Sequence, residues 1–466
     1  MVWPMSSPKL FHADTAALPA DCRVVIPRPR LQRLGDGWEY SWEVRVVLAC
    51  GEEFSAGGAW FRSNVEIRPL SGLGNAALAG SLVPLMQLGL PVTIEAGVSP
   101  RLLRNLRLWQ QAFAAWFPAM KPVEIECERC GGIEPPESGG ARGQAALMSL
   151  GVDSWFTLQR HLPELTHLVF LDGFDITGEQ VEARRQMRGQ LRAVAGELRL
   201  PLVILESNLR EFLDRWCDWL VPGGAYLGAA TMLLEGLVDR VWEGSSARLH
   251  TPGAIGSNGL TDPLFATERL QMRYDGGEFQ RIDKLVRLLD WPTAMRNLRV
   301  CWSGTDGLRN CGRCPKCLRT MAAIQLLGDP AQAPLFPPET DLSLLAKLPF
   351  GYGMFADCHR MLELAARLGT ADQPVARVIR EILDQGEIAA MMAEESGGLT
   401  RMQAADWRRI GKEQREDLVA DLMQHAPGLV DDMLVDGVMK VPREVLAAMW
   451  AKDRQWLRRR IEAAAG

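Results

Sequence analysis

Between residues 143 and 327, apolar runs of strand length alternate with stretches of helical period. The runs "AALMSL" (145–150), "HLVFLDG" (167–173) and "LVILES" (202–207) read as three strands, with "ARLHTPG" (247–253) and "LRVCW" (298–302) as a fourth and a fifth. Between them, "SWFTLQRHL", Gly178 to Leu198, "LREFLDRWCDWL", "YLGAATMLLEGLVDRVW" and "FQRIDKLVRLLD" have helical spacing. Continuous apolar strands joined by crossover helices predict a doubly wound, five-stranded parallel sheet covered on both faces, an α/β fold. Ligands of such sheets gather at the carboxyl ends of the strands. Those ends would carry Ser149, Asp172, Glu206 with Ser207, His250 and Cys301.

The two ends of the chain have other patterns. "DCRVVIP", "WEYSWEVRVVLA" and "NVEIRPL" alternate as strands do, "SPRLLRNLRLWQQAFAAWF" (99–117) is helical, and "KPVEIE" is strand-like. An N-terminal α+β domain over 1–135 is expected. Beyond 341 the stretches "MFADCHRMLELAARLG", "PVARVIREILDQ" and "PREVLAAMWAKDRQWLRRRIEAA" predict a helical C-terminal region, 341–466. Two joints rich in Pro and Gly, 130–143 and 328–341, bracket a middle domain at 143–327. No internal repeat is visible.

Composition sharpens this picture only slightly. The 466 residues are 47% hydrophobic and 23% charged, as in soluble globular proteins. A net charge of −5 gives no electrostatic argument for nucleic acid or an acidic membrane surface. The opening lacks a basic head and apolar core, and the most apolar run, "AALAGSLVPLMQLGLPVTIEAG", carries Pro, Gly and Gln. A cytoplasmic location is expected. Ten cysteines in a reducing compartment then argue for metal or catalysis instead of disulfides.

The chemistry concentrates in two stretches. In "MSLGVDSWF" (148–156) a strand runs through Ser149-Leu150-Gly151-Val152-Asp153-Ser154 into a helix. A helix start offers N–H donors and positive potential, so its natural guest is an anion such as phosphate. Ser149 and Ser154 add hydroxyl donors and Gly151 permits close approach, while Asp153 suits a magnesium ion bridging to phosphate. An ordinary strand-to-helix turn would use the same residue types. In "CWSGTDGLRNCGRCPKCLRT", Cys301, Cys311, Cys314 and Cys317 have the spacing of a four-thiolate zinc site, with an iron–sulfur cluster as the rival. Arg309, Arg313, Lys316 and Arg319 would offset its negative charge. "SGLGNAALAG" (71–80), followed by Glu95, imitates a dinucleotide fingerprint, but the polar run before it does not suit a buried central strand.

The 149–154 loop resembles the PP-loop of the ATP pyrophosphatases, or adenine nucleotide alpha hydrolases, whose pattern is Ser-Gly-Gly-x-Asp-Ser. It departs from that pattern at Leu150, where a positive φ would suit glycine. Cys301, Trp302, Gly304, Cys311, Gly312, Cys314, Cys317 and Arg319 resemble the zinc segment of 7-cyano-7-deazaguanine synthases, which also follows a PP-loop domain. "TDPLFATERL" (261–270) is similar to the acidic-Pro substrate loop of that family, marking Asp262. The Arg-Asn expected after its Val-Pro-Gly turn is replaced in "VPGGAYLG" (221–228). The resemblance spans about 145–325.

It implies an ATP-dependent carbon–nitrogen ligase that adenylates a carboxylate, releases pyrophosphate and passes the acyl group to ammonia or another amine. ATP, Mg2+ and Zn2+ are the expected cofactors. Ser149 to Ser154 and Asp172 would bind ATP, with Asp153 and Ser154 catalytic. His250 and Asp262 are substrate candidates, and either carboxylate or amine could belong to a small molecule or a protein. A homo-oligomer or a protein partner could form through the terminal regions. Three other readings stay open, a sulfur-transfer enzyme working through Cys127 and Cys130, a non-catalytic scaffold, and a zinc-dependent nucleic-acid binder, which the net charge disfavours.

Overall fold

The computed structural model describes residues 21–117, 119–129, 143–178, 180–219, 221–246, 256–301, 308–345 and 352–383. The chain divides into two compact units, one ending at Arg309 and the other beginning at Asn310.

The first unit is built on one sheet. Its strands are β1 (Arg23–Ile26), β2 (Arg30–Leu34), β3 (Gly37–Val47), β4 (Glu53–Ser63), β5 (Val92–Val98), β6 (Ile125–Arg129), β7 (Gln144–Leu147), β8 (His167–Asp172), β9 (Leu202–Ser207), β10 (Arg240–Gly244) and β11 (Gln271–Asp275). They lie in the order β11-β10-β7-β8-β9-β4-β3-β1-β5-β6, with β2 on β3. The five strands β11, β10, β7, β8 and β9 are mutually parallel. From β7 the chain moves out through β8 to β9, then returns to add β10 on the other side of β7 and β11 beyond it. The crevice at the carboxyl ends of β7 and β10 is therefore the topological switch point, where open α/β sheets place ligands.

The predicted strands β7, β8 and β9 form where their apolar runs stand. Ala145, Ala146, Leu168, Val169, Val203 and Leu205 are fully buried, as strands covered on both faces must be. The fourth and fifth strands differ from expectation. Residues 247–253, including His250, lie outside the described residues. The strand beside β7 is instead Arg240–Gly244, whose "DRVW" start reads as the end of a helix in sequence; that helix stops at Met232. "LRVCW" supplies no strand over 298–301: Leu298, Val300 and Cys301 are buried in irregular chain beyond a short helix (Pro292–Arg296). The parallel edge is β11, a polar five-residue segment.

The N-terminal strands join the same sheet, because β4 pairs antiparallel with β9. "NVEIRPL" is irregular, and the strand is the preceding Glu53–Ser63. Alternate residues of β3 face inward beneath a helix, Asn75–Leu88, formed by part of the apolar run. Trp42 donates its indole N–H to Ser81 at 2.8 Å, and its ring lies where a Cβ on Gly80 would stand. Gly72 is required by packing, since a Cβ there would lie 2.5 Å from the Gly97 carbonyl oxygen. Among the described residues no helix is long and apolar enough to cross a membrane.

The second unit is helical where described. Helices span Pro315–Leu327, Leu342–Leu345 and Tyr352–Leu368, and residues 374–383 are helical. Arg319 pairs with the buried Asp357 at 3.0 Å, so it is engaged with a carboxylate. Residues 442–464, expected to be helical, lie outside the described residues.

Candidate nucleotide and metal sites

β7 ends at Leu147 and the next helix, Val152–His161, begins after Gly151 with no side chain capping its start. Its first N–H groups therefore face the turn without a built-in acceptor side chain. The Ser154 hydroxyl donates to the Gly151 carbonyl at 3.0 Å and stands 3.3 Å from both the backbone nitrogen and the hydroxyl oxygen of Ser149. These contacts close the turn and leave Ser149 at the surface.

Leu150, where the PP-loop pattern has glycine, has φ +61° and is fully buried. Leu150 thus holds a left-handed backbone conformation of the kind that favours glycine. Its backbone is tied down by the Arg299 N–H, which donates to the Leu150 carbonyl at 2.9 Å. At Gly151, by contrast, a Cβ would meet nothing closer than 3.4 Å, so space does not demand glycine there. Leu150→Gly should relieve about 1 kcal/mol of conformational energy. It also removes a buried side chain worth about 3 kcal/mol. The expected result is a net destabilisation of about 2 kcal/mol in urea titration; a gain in stability would mean that the side chain contributes no packing.

Asp153 does not stand alone. One carboxylate oxygen accepts from Arg281, and the other lies 3.0 Å from Lys284 Nζ. Lys284 is itself buried and donates to the Ser245 carbonyl at 2.6 Å and to the Ser245 hydroxyl at 2.7 Å. Both cations project from the helix Arg281–Leu289, which follows β11 and opens with a reciprocal Gln280–Asp283 capping box. Gly244, the last residue of β10, lets this arrangement close, since a Cβ there would sit 2.6 Å from the Asp153 backbone. The sequence marks Asp153 but not Arg281, Lys284 or Gly244, which reach it across 91 to 131 positions in the chain.

Asp172, placed with the ATP residues in sequence, faces cations from the neighbouring helix. Fully buried at the end of β8, it accepts from Arg184 at 2.7 Å and from Arg188. Glu206, its neighbour across the β8–β9 ladder, accepts from Arg184 at 2.7 Å and pairs with Arg188 at 3.2 Å. Burial raises the Glu206 pKa, but the two guanidiniums outweigh it and hold the carboxyl below its ordinary value.

Asp262, the substrate candidate, is fully buried and meets Glu243 at the end of β10. Ser257 Oγ lies 2.8 Å from an oxygen of each. Burial raises both carboxyl pKa values, and their mutual repulsion raises Glu243 further. Glu243 carries no sequence signal beyond its place near a strand end.

The sulfurs of Cys301, Cys311, Cys314 and Cys317 lie within 4.8 Å of one another, a group that could hold a metal. Cys311 and Cys317 Sγ are 3.9 Å apart, close to the ~3.8 Å edge of a tetrahedron with zinc–sulfur bonds of about 2.3 Å. Backbone N–H groups already point at sulfur, Cys314 N to Cys311 Sγ at 3.3 Å and Cys317 N to Cys314 Sγ at 3.5 Å. Cys314 caps the helix Pro315–Leu327, where the N-terminal field favours a thiolate. Gly312, at φ +70°, makes the reversal between Cys311 and Cys314, and a Cβ there would strike Pro337 at 2.5 Å. The donor set is compatible with zinc. Cys301 follows two residues after Arg299, the partner of the Leu150 carbonyl. Cys127 ends up half-buried on β6, while Cys130 lies outside the described residues.

No family model, no curated protein and no solved structure matches this chain.

Proposed function

We propose that the loop 149–154 cradles the phosphates of ATP and that the protein adenylates a carboxylate, passing the acyl group to ammonia or another amine. The observation that carries this reading is the loop's place at the β7–β10 switch point, with an uncapped helix start and a left-handed residue where the PP-loop pattern has glycine. A carboxylate resists nucleophilic attack because its charge is delocalised; transfer of AMP to it creates a good leaving group, and pyrophosphate departs. Backbone donors of the helix start, with the Ser149 hydroxyl, would hold that anion. Arg281 and Lys284 bring two positive charges beside the loop, and in the free protein both pair with Asp153. Asp153 would hold Mg2+, which neutralises phosphate charge when bound. The Asp172–Glu206–Arg184–Arg188 network then supports the strand ends. The four-cysteine group serves a structural role in this scheme, holding its segment without activating water.

Equilibrium binding of ATP with magnesium tests the assignment. Wild-type protein should bind, and Arg281→Gln should bind about tenfold more weakly, a difference of about 1.4 kcal/mol. Absence of ATP binding, or equal binding by a folded Arg281→Gln protein, refutes it. A screen of carboxylates for pyrophosphate release then identifies the substrate.

A further inference from the structure

The two cations at Asp153 are held in different ways. The ammonium of Lys284 has an acceptor for each of its three protons: the Ser245 carbonyl at 2.6 Å, the Ser245 hydroxyl at 2.7 Å and Asp153 at 3.0 Å. Its side chain is 3% exposed, so Ser245 anchors it whatever Asp153 does. Arg281 is 18% exposed, and its ion-pair partner among the described residues is Asp153 alone. A guanidinium carries five N–H donors, so Arg281 has donors left for another acceptor. It is also the first residue of its helix, where the macrodipole disfavours a cation unless an anion stands beside it.

The other arginine cluster near these strand ends is built differently. Arg184 and Arg188 each pair with both Asp172 and Glu206, so two cations meet two acids and the charges balance. At Asp153 two cations share one carboxylate, and each of its oxygens has one of them. An adenylating site needs that same carboxylate to face a magnesium ion. The donor set fits the ion, which takes one or two carboxylates and completes its shell with water and phosphate oxygens. A dication arriving alone, however, would be brought beside two positive charges already in place. A phosphate group reverses the sign of that interaction.

We infer that the Arg281–Asp153 ion pair is a latch, which withholds Asp153 from metal in the free protein and opens when a phosphate group draws Arg281 to itself. The inference rests on the phosphate-cradle reading of the loop 149–154. Opening exchanges a carboxylate for a more highly charged oxyanion as the partner of Arg281. Lys284 keeps its two bonds to Ser245 and holds the end of β10 while the arginine moves. Asp153 is correspondingly an internal competitor for anions, since it fills the cation that phosphate must use. Phosphate and metal therefore favour each other, and the coupling is equal from either side. Metal enters with the phosphate or after it.

Two titrations of the full chain test the latch. The first reads manganese binding from loss of the free-ion electron paramagnetic resonance signal. Arg281→Gln should bind manganese about tenfold more tightly than wild type, and adding Asp153→Asn should abolish the gain. The second is calorimetric, with inorganic pyrophosphate and no divalent ion added. Here Asp153→Asn should bind about tenfold more tightly than wild type, although a candidate catalytic acid has been removed. Equal manganese binding by wild type and a folded Arg281→Gln protein overturns the latch. So does pyrophosphate bound no more tightly by a folded Asp153→Asn protein. Each arm has its own variant, so failure of one to fold leaves the other decisive. Neither arm contains a nucleotide: both gains without ATP binding refute only the ATP assignment, and ATP binding without the gains refutes only the latch.

Discussion

Wild-type protein is expected to purify with one bound metal ion, and Cys317→Ser protein without it. Its 308–345 segment should exchange amide hydrogens with water orders of magnitude faster. The reason is local. From Leu308 to Lys316 only Asn310 is buried, so apolar packing does little to hold the turns between the cysteines. A structural zinc site supplies on the order of 10 kcal/mol in small domains, far more than one hydrogen bond. Elemental analysis should give one zinc per wild-type chain, with no colour; a brown protein would identify an iron–sulfur cluster instead. Undiminished metal content in the variant, with unchanged exchange, would remove Cys317 from the ligand set. Cys50, exposed on the loop between β3 and β4, is the control: Cys50→Ser should leave both readouts unchanged.

The second large effect is expected at the carboxyl ends of β8 and β9. Asp172→Asn should lower unfolding stability by about 3 kcal/mol, because it leaves two guanidiniums that already share Glu206 without their fully buried partner. Denaturant titration reads the loss directly. A companion effect follows from Glu206, whose pKa in the folded chain lies below its unfolded value. Its contribution is therefore fully present above the unfolded carboxylate pKa, about 4.3. That contribution falls away as acid protonates the folded form. Wild-type stability should decline on acidification below about pH 4, and Glu206→Gln should flatten that decline. An Asp172→Asn protein as stable as wild type would mean that the arginines find other partners in solution.

How much of this could be read from the chain alone depended on how local each signal was. β7, β8 and β9 are legible because burial on both faces writes a continuous apolar run. β10 is only five residues long and continues the apolar stretch of the helix before it, so nothing local marks the change of period. β11 lies at an edge of the sheet, where a polar segment such as QMRYD is tolerated. The reverse error came from LRVCW, whose apolar residues 298, 300 and 301 are buried in irregular chain. β4 escaped because of its two adjacent glycines; a Cβ on Gly58 would lie 2.4 Å from the Trp42 carbonyl oxygen.

The same distinction holds for the sites. The loop 149–154 and three of the cysteines are close in sequence, so spacing alone reveals them. Arg281, Lys284, Glu243 and Gly244 come to the loop or its neighbours only after the sheet has formed. Each is an ordinary residue type at an ordinary place in its own element. Their roles come from which strand lies beside which, and no window of the sequence holds that information.

The antiparallel seam between β4 and β9 has a consequence of its own. Phe61 to Ser63 register against Leu205 to Ser207, so the outer strand of the parallel half is an interior strand of the whole sheet. A shortened protein starting at residue 143 would leave that strand's backbone donors and acceptors bare beside an apolar surface, an invitation to stick to its own copies. The strand Glu53–Ser63 thus acts as a covalently attached cover for the edge that β9 would otherwise present.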